Sequence, residues 1–106
     1  MPKYLFKATF TPEGLKGLRA GSAAKRVEDG RAFAASMGGA QECYYLAFGD
    51  YDAYSIWDLP DDEAAAAMAI GGNEAGAARI TVTKLLTAEQ VDEAFTRTVA
   101  YRPPGQ

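Results

Sequence analysis

The sequence predicts an α+β domain in which two helical regions cover one face of a four-stranded antiparallel sheet, with an extra helix after the last strand. Three observations lead to this fold class. Residues 3–10 alternate between an apolar and a mixed face, which is the period of a strand. Start and stop signals for helices divide the rest of the chain into segments. A short connection around Gly49 joins two apolar runs, which must therefore pair antiparallel.

The first half of the chain predicts one strand and then helical residues. Residues 3–10 form the strand, with the aromatic side chains on one face. Thr11 caps a helix start and is followed by proline at the first helical position, but three glycines soon after it predict only a short turn. Ser22 caps a longer helix over residues 23–37, which ends at a pair of glycines.

The centre of the chain predicts a β-hairpin. Residues 40–48 and 52–59 are apolar and aromatic enough to form two strands. The connection between them is short, and Gly49 at its first central position predicts a type II′ turn.

The last third of the chain predicts a helix, a strand and a terminal helix. A capping aspartate precedes an alanine-rich helix, which the Gly71-Gly72 pair weakens or ends. The β-branched run 79–86 is the fourth strand. A capping box at Thr87 begins a helix that extends to about Val99.

The predicted order of elements is strand, helix, strand, strand, helix, strand, which is the split βαβ, ferredoxin-like unit. A chain of 106 residues is long enough for one such domain, which we place at residues 1–101. Residues 102–106 form an extended C-terminal tail.

Composition excludes several function classes. Eleven Lys and Arg against 14 Asp and Glu give a net charge of −3, which disfavours a nucleic-acid partner. With no histidine and one cysteine, the chain lacks the ligands of common metal sites, and we expect neither a metal nor a cofactor. No apolar stretch spans a membrane and no export signal is apparent, so we expect a cytoplasmic protein.

Both faces of the central hairpin carry bulky side chains. In its first strand, Tyr44 and Leu46 alternate with Cys43 and Tyr45. Helices cover only one face of a domain this small, so the other face needs a partner. We expect a homodimer in which two sheets pack face to face about a two-fold axis and close a barrel. The alternative is a monomer whose tyrosines place their hydroxyl groups in water.

These elements resemble those of the GYD-domain family of small bacterial proteins, from Tyr4 to about Leu86. The most specific block is residues 47–52, Ala-Phe-Gly-Asp-Tyr-Asp, followed by Leu-Pro-Asp at residues 59–61. The resemblance implies a ferredoxin-like fold of the dimeric α/β-barrel kind, but no assigned activity. Other proteins of this architecture include cofactor-free monooxygenases, haem-handling enzymes and small-ligand domains, which is an analogy of fold alone.

The strongest candidate site is a pocket between the sheet and the helices. Its polar end would be the helix start at residues 22–26, where free backbone N–H groups and two cations favour an anion. Its apolar walls would come from aromatic side chains beside Phe33. The alternative is an ordinary helix cap with solvated cations, and aromatic residues that only form core. The candidate residues are Ser22, Lys25, Arg26, Tyr45, Tyr54 and Trp57.

The hairpin motif Gly49, Asp50, Tyr51 and Asp52 is a second candidate. Two carboxylates beside a phenol indicate a polar mouth for a ligand or a hard cation. Two carboxylates are too few for a dedicated calcium loop, and the favoured interpretation is turn chemistry.

These observations predict a homodimeric domain that binds a small anionic or aromatic molecule or serves as an accessory subunit. The alternative is a cofactor-free monooxygenase acting on a small aromatic substrate. Cys43 has no histidine with which to form a nucleophile, and we expect it to be a buried small apolar residue.

Overall fold

A computed structural model describes all residues from 1 to 106 and contains four strands and four helices. The predicted α+β class is confirmed. The elements are β1 (Lys3–Phe10), α1 (Pro12–Ala20), α2 (Ala23–Ser36), β2 (Ala40–Leu46), β3 (Ala53–Asp58), α3 (Asp62–Ala75), β4 (Ala78–Leu85) and α4 (Ala88–Phe95).

The four strands form one sheet in the order β2-β3-β1-β4, and every neighbouring pair is antiparallel. This arrangement is consistent with the predicted ferredoxin-like unit. The central pair β1 and β3 sets Tyr4 opposite Trp57 and Phe6 opposite Ser55. Side chains alternate along each strand, so these four residues share one face of the sheet.

The core lies between this face and the helices α2 and α3. Tyr4, Phe6 and Trp57 from the sheet pack with Ala34 from α2 and Met68 from α3. A second cluster under α1 joins Ala8, Phe10, Ala53 and Ala78. Only 12 of 106 residues are buried, which leaves much of the apolar surface of this chain in contact with solvent.

The predicted helix caps are confirmed. The side chains of Thr11, Ser22, Asp61 and Thr87 each accept a hydrogen bond from a backbone N–H three residues further on. The backbone N–H of Thr87 in turn donates to Gln90 Oε1, which completes the capping box. Each cap satisfies a backbone donor that the helix itself leaves free.

Two predictions about glycines are wrong. Helix α1 is not a short turn, because it continues through Gly14 and Gly17 for nine residues. Helix α3 likewise continues through the Gly71-Gly72 pair and ends at Gly76, which adopts the left-handed conformation with φ of 79°. The reason is packing: a Cβ on Gly14 would overlap the backbone of Ala77, so this glycine permits a close approach rather than ending a helix.

The predicted type II′ turn is also wrong. Strand β2 ends at Leu46, two residues early, and the loop covers residues 47–52. Gly49 does not have the positive φ that such a turn requires. Instead the N–H of Ala47 donates to the carbonyl of Asp52, which closes a longer loop.

The structure also ends the last helix at Phe95 rather than near Val99. The hydroxyl of Thr96 donates to the carbonyl of Glu93, which occupies a backbone acceptor at the helix end. Strand β4 lies one residue earlier than predicted, at Ala78–Leu85.

A hydrogen bond from Tyr4 connects the sheet to the start of α3. Its hydroxyl donates to the Asp62 carboxylate at 2.5 Å, and Lys84 pairs with the same carboxylate at 2.9 Å. Burial and this hydrogen bond raise the pKa of Tyr4 to about 12, while the bonds from Tyr4 and Lys84 lower the pKa of Asp62. The bond therefore requires a protonated phenol and an ionised carboxyl group.

Tyr4→Phe should make stability less dependent on alkaline pH. A folded-state pKa raised from 10 to about 12 gives stability that is complete below pH 10 and is lost as the pH rises towards 12. Urea unfolding at a series of pH values should show the parent more stable than the variant at neutral pH, with the difference shrinking above pH 10. A difference that stays constant through this window would contradict the role given to Tyr4.

Candidate functional site

A cavity of about 440 Å³ lies between the sheet and the two larger helices. Helix α2 packs over β2 at one side and α3 over β4 at the other. The central strands β1 and β3 are therefore covered less closely, and the cavity opens above them. Its volume falls within the range of about 300–1,000 Å³ that is usual for small-molecule sites.

Small residues on the helices leave this space open. Gly30 on α2 and the adjacent Gly71 and Gly72 on α3 all line the cavity. A Cβ on Gly71 would meet nothing, whereas one on Gly72 would overlap Ile80. The pair that looks like a helix break in the sequence thus gives the cavity part of its wall.

The floor of the cavity is aromatic and carries one buried hydroxyl group. The rings of Phe6 and Trp57 lie 5.8 Å apart, and Ser55 sits beside them with 5% of its surface exposed. The indole N–H of Trp57 donates to Ser55 Oγ at 2.7 Å. Ser55 donates to no acceptor in the chain, so its proton is free to bond an oxygen atom in the cavity.

Arg26 supplies the positive charge at the side of the cavity. Its Nε lies 3.5 Å from the hydroxyl oxygen of Tyr44, a weak hydrogen bond, and its guanidinium carbon is 5.7 Å from the centre of the Phe10 ring. No carboxylate lies within 4.0 Å of this guanidinium group. Asp29 also lines the cavity, but Lys25 binds both of its oxygens, at 3.0 and 3.1 Å.

The structure separates the residues of the predicted polar end. Arg26 lines the cavity, whereas Ser22 and Lys25 line a neighbouring depression of about 290 Å³ that shares Arg26 and Asp29. Ser22 accepts the backbone N–H of Lys25 at 3.0 Å and so acts as the helix cap. Of the three predicted residues, Arg26 alone reaches the cavity.

The aromatic walls need a correction. Trp57 lines the cavity, but Tyr45 and Tyr54 pair with each other on the opposite face of the sheet. Tyr54 is three residues from Trp57, and an odd spacing places two strand residues on opposite faces. Tyr44, which sequence reasoning did not select, takes the place expected for Tyr45.

A bulge in β2 explains why Tyr44 faces the cavity. Gln41 lies opposite Trp57 and donates to a carbonyl of α2, so it faces the helices. The register then shifts between Gln41 and Cys43, which leaves Glu42 as the extra residue. After that shift Tyr44 pairs with Ser55 on the helix-covered face.

The other face of the sheet is uncovered, and we call it the open face. It carries apolar and aromatic side chains from all four strands, with Tyr45 71% exposed and Tyr54 37% exposed. Cys43 is half-buried on this face rather than fully buried. At one end Lys3 bonds Asp58 at 2.8 Å and also pairs with Glu42, and these two partners raise its pKa.

The hairpin motif belongs to the loop and not to the cavity. The carboxylate of Asp52 accepts the backbone N–H of Phe10 at 2.9 Å, and its own N–H donates to Ala8. Tyr51 lies edge-on to Tyr54 and under the Lys7 ammonium group, 4.6 Å from the ring centre. No cluster of three potential metal-ligating residues occurs in the structure. These contacts give the motif a structural role in anchoring the loop.

None of the helices has both the length and the apolar character that crossing a membrane requires. The fold and the cavity define a small α+β domain with space for a ligand between its two layers. The chain belongs to the GYD domain family, whose model matches residues 4–95. Neither a search of curated proteins nor a search of solved structures found a match.

Proposed function

We propose that this GYD domain binds a small, anionic, partly aromatic molecule in the cavity and that it does so as a homodimer. The observation that carries the proposal is the convergence of three features on one space of about 440 Å³. Trp57 offers an apolar wall, Ser55 a free hydroxyl proton, and Arg26 an unpaired positive charge.

The balance of charge favours an anion. Asp29 is neutralised by Lys25, while Arg26 has no carboxylate partner. A carboxylate or phenolate between Arg26 and the Tyr44 hydroxyl would replace water with charge-assisted hydrogen bonds. Because Arg26 is itself exposed, most of the affinity must come from the apolar walls.

The dimer is supported by the surface that one chain leaves exposed. The accessible surface is 7408 Å², whereas a compact monomer of this mass exposes about 5,700 Å². Packing two open faces about a two-fold axis, as in a dimeric α/β barrel, would remove the exposed tyrosines from water.

A cofactor-free monooxygenase is the alternative function. The observation in its favour is that the Tyr44 hydroxyl and Trp57 line the same cavity. Against it, the one carboxylate that lines the cavity, Asp29, is exposed and pairs with Lys25, so the cavity holds no buried general base. Oxygen consumption in the presence of the bound compound would separate the two functions, since a binding domain consumes none.

The proposal places the protein in a reducing cytoplasm, where Cys43 is a free thiol. It requires neither nucleic acid nor metal as a partner.

Arg26→Ala should weaken binding of an anionic aromatic probe, anilinonaphthalene sulfonate, by roughly tenfold, because a hydrogen bond to a charged group is lost. Trp57→Phe should also weaken binding, because it shortens the apolar wall and removes the donor that orients Ser55. Fluorescence titration measures both effects.

Arg31→Ala is the matched control on the same helix, since Arg31 pairs with Glu28 and does not line the cavity. It should bind the probe as the parent does. If Arg26→Ala and Trp57→Phe both bind as tightly as the parent, the site lies elsewhere.

A further inference from the structure

The C-terminal segment of the chain lies apart from the core. We call residues 86–101 the C-terminal arm. Leu86, Phe95, Val99 and Tyr101 are 60%, 77%, 76% and 68% exposed, and α4 has no buried residue. The molecule is correspondingly elongated, with extents of 56 × 34 × 22 Å.

The arm has the pattern of a docking helix. The capping box at Thr87 stabilises the start of α4 independently of tertiary contacts. Val91 and Phe95 are one helical turn apart and lie on one side, while Glu89 faces away from it. Val91 is half-buried, but Phe95 remains 77% exposed, and an exposed aromatic side chain on an amphipathic helix indicates a partner surface.

A second exposed apolar group lies at the opposite end of the sheet. We call Leu46 and Phe48 the hairpin patch, and they are 38% and 101% exposed. The arm leaves the sheet where Leu85 pairs with Lys3, whereas the hairpin patch adjoins the other end of β1. The eight residues of β1 separate the two ends by roughly 26 Å.

We propose that the C-terminal arm of one copy docks on the hairpin patch of a second copy. This inference rests on the proposed homodimer. A two-fold axis perpendicular to the strands brings the Leu85 end of one sheet beside the hairpin end of the other. The arm of each copy then contacts the hairpin patch of the other copy, so the dimer contains two equivalent contacts.

Surface area and charge both support a second copy of this chain as the partner of the arm. The excess accessible surface of about 1,700 Å² per chain is roughly twice the 800 Å² that each partner buries in a standard interface. A dimer in which both the open faces and the arms are covered would bury more of this excess surface than one in which only the open faces are covered. The arm continues into Arg102, which has no ion partner, and the hairpin carries Asp50, which has none either.

A double-mutant cycle on the full-length chain tests the contact. The variants are Phe95→Ser, Phe48→Ser and the combination, with Glu89→Ser as a control on the polar side of α4. Sedimentation equilibrium gives the dimer dissociation constant of each. Each single variant should raise it by about 100-fold, because the lost contact occurs twice. The combination should raise it hardly further, because the two side chains touch each other.

The outcomes separate this inference from the proposed dimer. A parent dimer that Phe95→Ser leaves intact would overturn the arm contact while the dimer stands. Strictly multiplicative effects of the two variants would also overturn it, since the residues would then act at different places. A parent chain that is monomeric at micromolar concentration would overturn the dimer, and the arm contact with it. If the two variants show coupled effects on the free energy of unfolding but leave the dimer dissociation constant unchanged, the arm packs on the hairpin of its own chain. That result would also overturn the contact between copies.

Discussion

Replacing Gly14 with alanine should destabilise the domain by about 1–3 kcal/mol, although alanine is the better helix former. The reason is that a Cβ at this position overlaps the carbonyl of Ala77, which is backbone and cannot rotate away. That carbonyl also accepts a hydrogen bond from the N–H of Thr11 at 3.0 Å. Displacing it would therefore weaken the contact between the start of α1 and the start of β4. For a small domain this loss is a large fraction of the total stability.

Gly17→Ala is the matched control, one turn further along α1. A Cβ there meets nothing within 4 Å, so this substitution should stabilise the protein by about 0.5–1 kcal/mol. Thermal unfolding of the two variants should give melting temperatures that move in opposite directions from that of the parent. A loss at Gly17 as large as that at Gly14 would show that helix propensity, and not the close approach to Ala77, dominates.

Ile56→Asp should dissociate the proposed homodimer. Ile56 is half-buried on the open face, in the central strand β3 and opposite Leu5. In a face-to-face dimer the substitution buries two unpaired carboxylates on related surfaces, which costs several kcal/mol. A cost of about 4 kcal/mol corresponds to a roughly 1,000-fold higher dissociation constant. Light scattering should then give the mass of one chain, 11.3 kDa.

The chain should remain folded, because the introduced carboxylate would be in contact with water in the monomer. Ala66→Asp, on the exposed side of α3, is the control and should keep the mass of the parent. A variant that retains twice the chain mass at low micromolar concentration would show that the open face is not the interface.

Local signals predicted the elements of this fold well. The alternation of residues 3–10 and the four capping side chains act over three or four residues, so the sequence displays them directly. The observed strand order, β2-β3-β1-β4, is consistent with the ferredoxin-like unit predicted from the order of the elements.

Long-range contacts account for what the sequence did not predict. Gly14 and Gly72 look like helix breakers, but each marks a place where another element approaches the helix closely. The loop at Gly49 is shaped by the bonds of Asp52 to β1 and not by its own turn preference. Neither kind of contact is visible within a window of a few residues.

The sequence predicted only part of the candidate site, because the rest depends on long-range contacts. Arg26 and Trp57 line the cavity, and the cavity lies between the sheet and the helices, where the pocket was predicted. The spacing of Tyr54 and Trp57 already assigns them to opposite faces, so that error was avoidable. The bulge at Glu42, which turns Tyr44 towards the cavity, depends on pairing with β3 and has no signature in the sequence.

The central claim is that the cavity holds a small anionic, partly aromatic molecule. Native mass spectrometry of the protein purified from its own host tests it most directly. The account predicts a complex of twice the 11.3 kDa chain mass that carries one small molecule per chain. On release, that molecule should ionise as an anion and absorb in the near ultraviolet. Protein that appears only at its bare mass, or that carries a cationic or purely aliphatic compound, would contradict the claim.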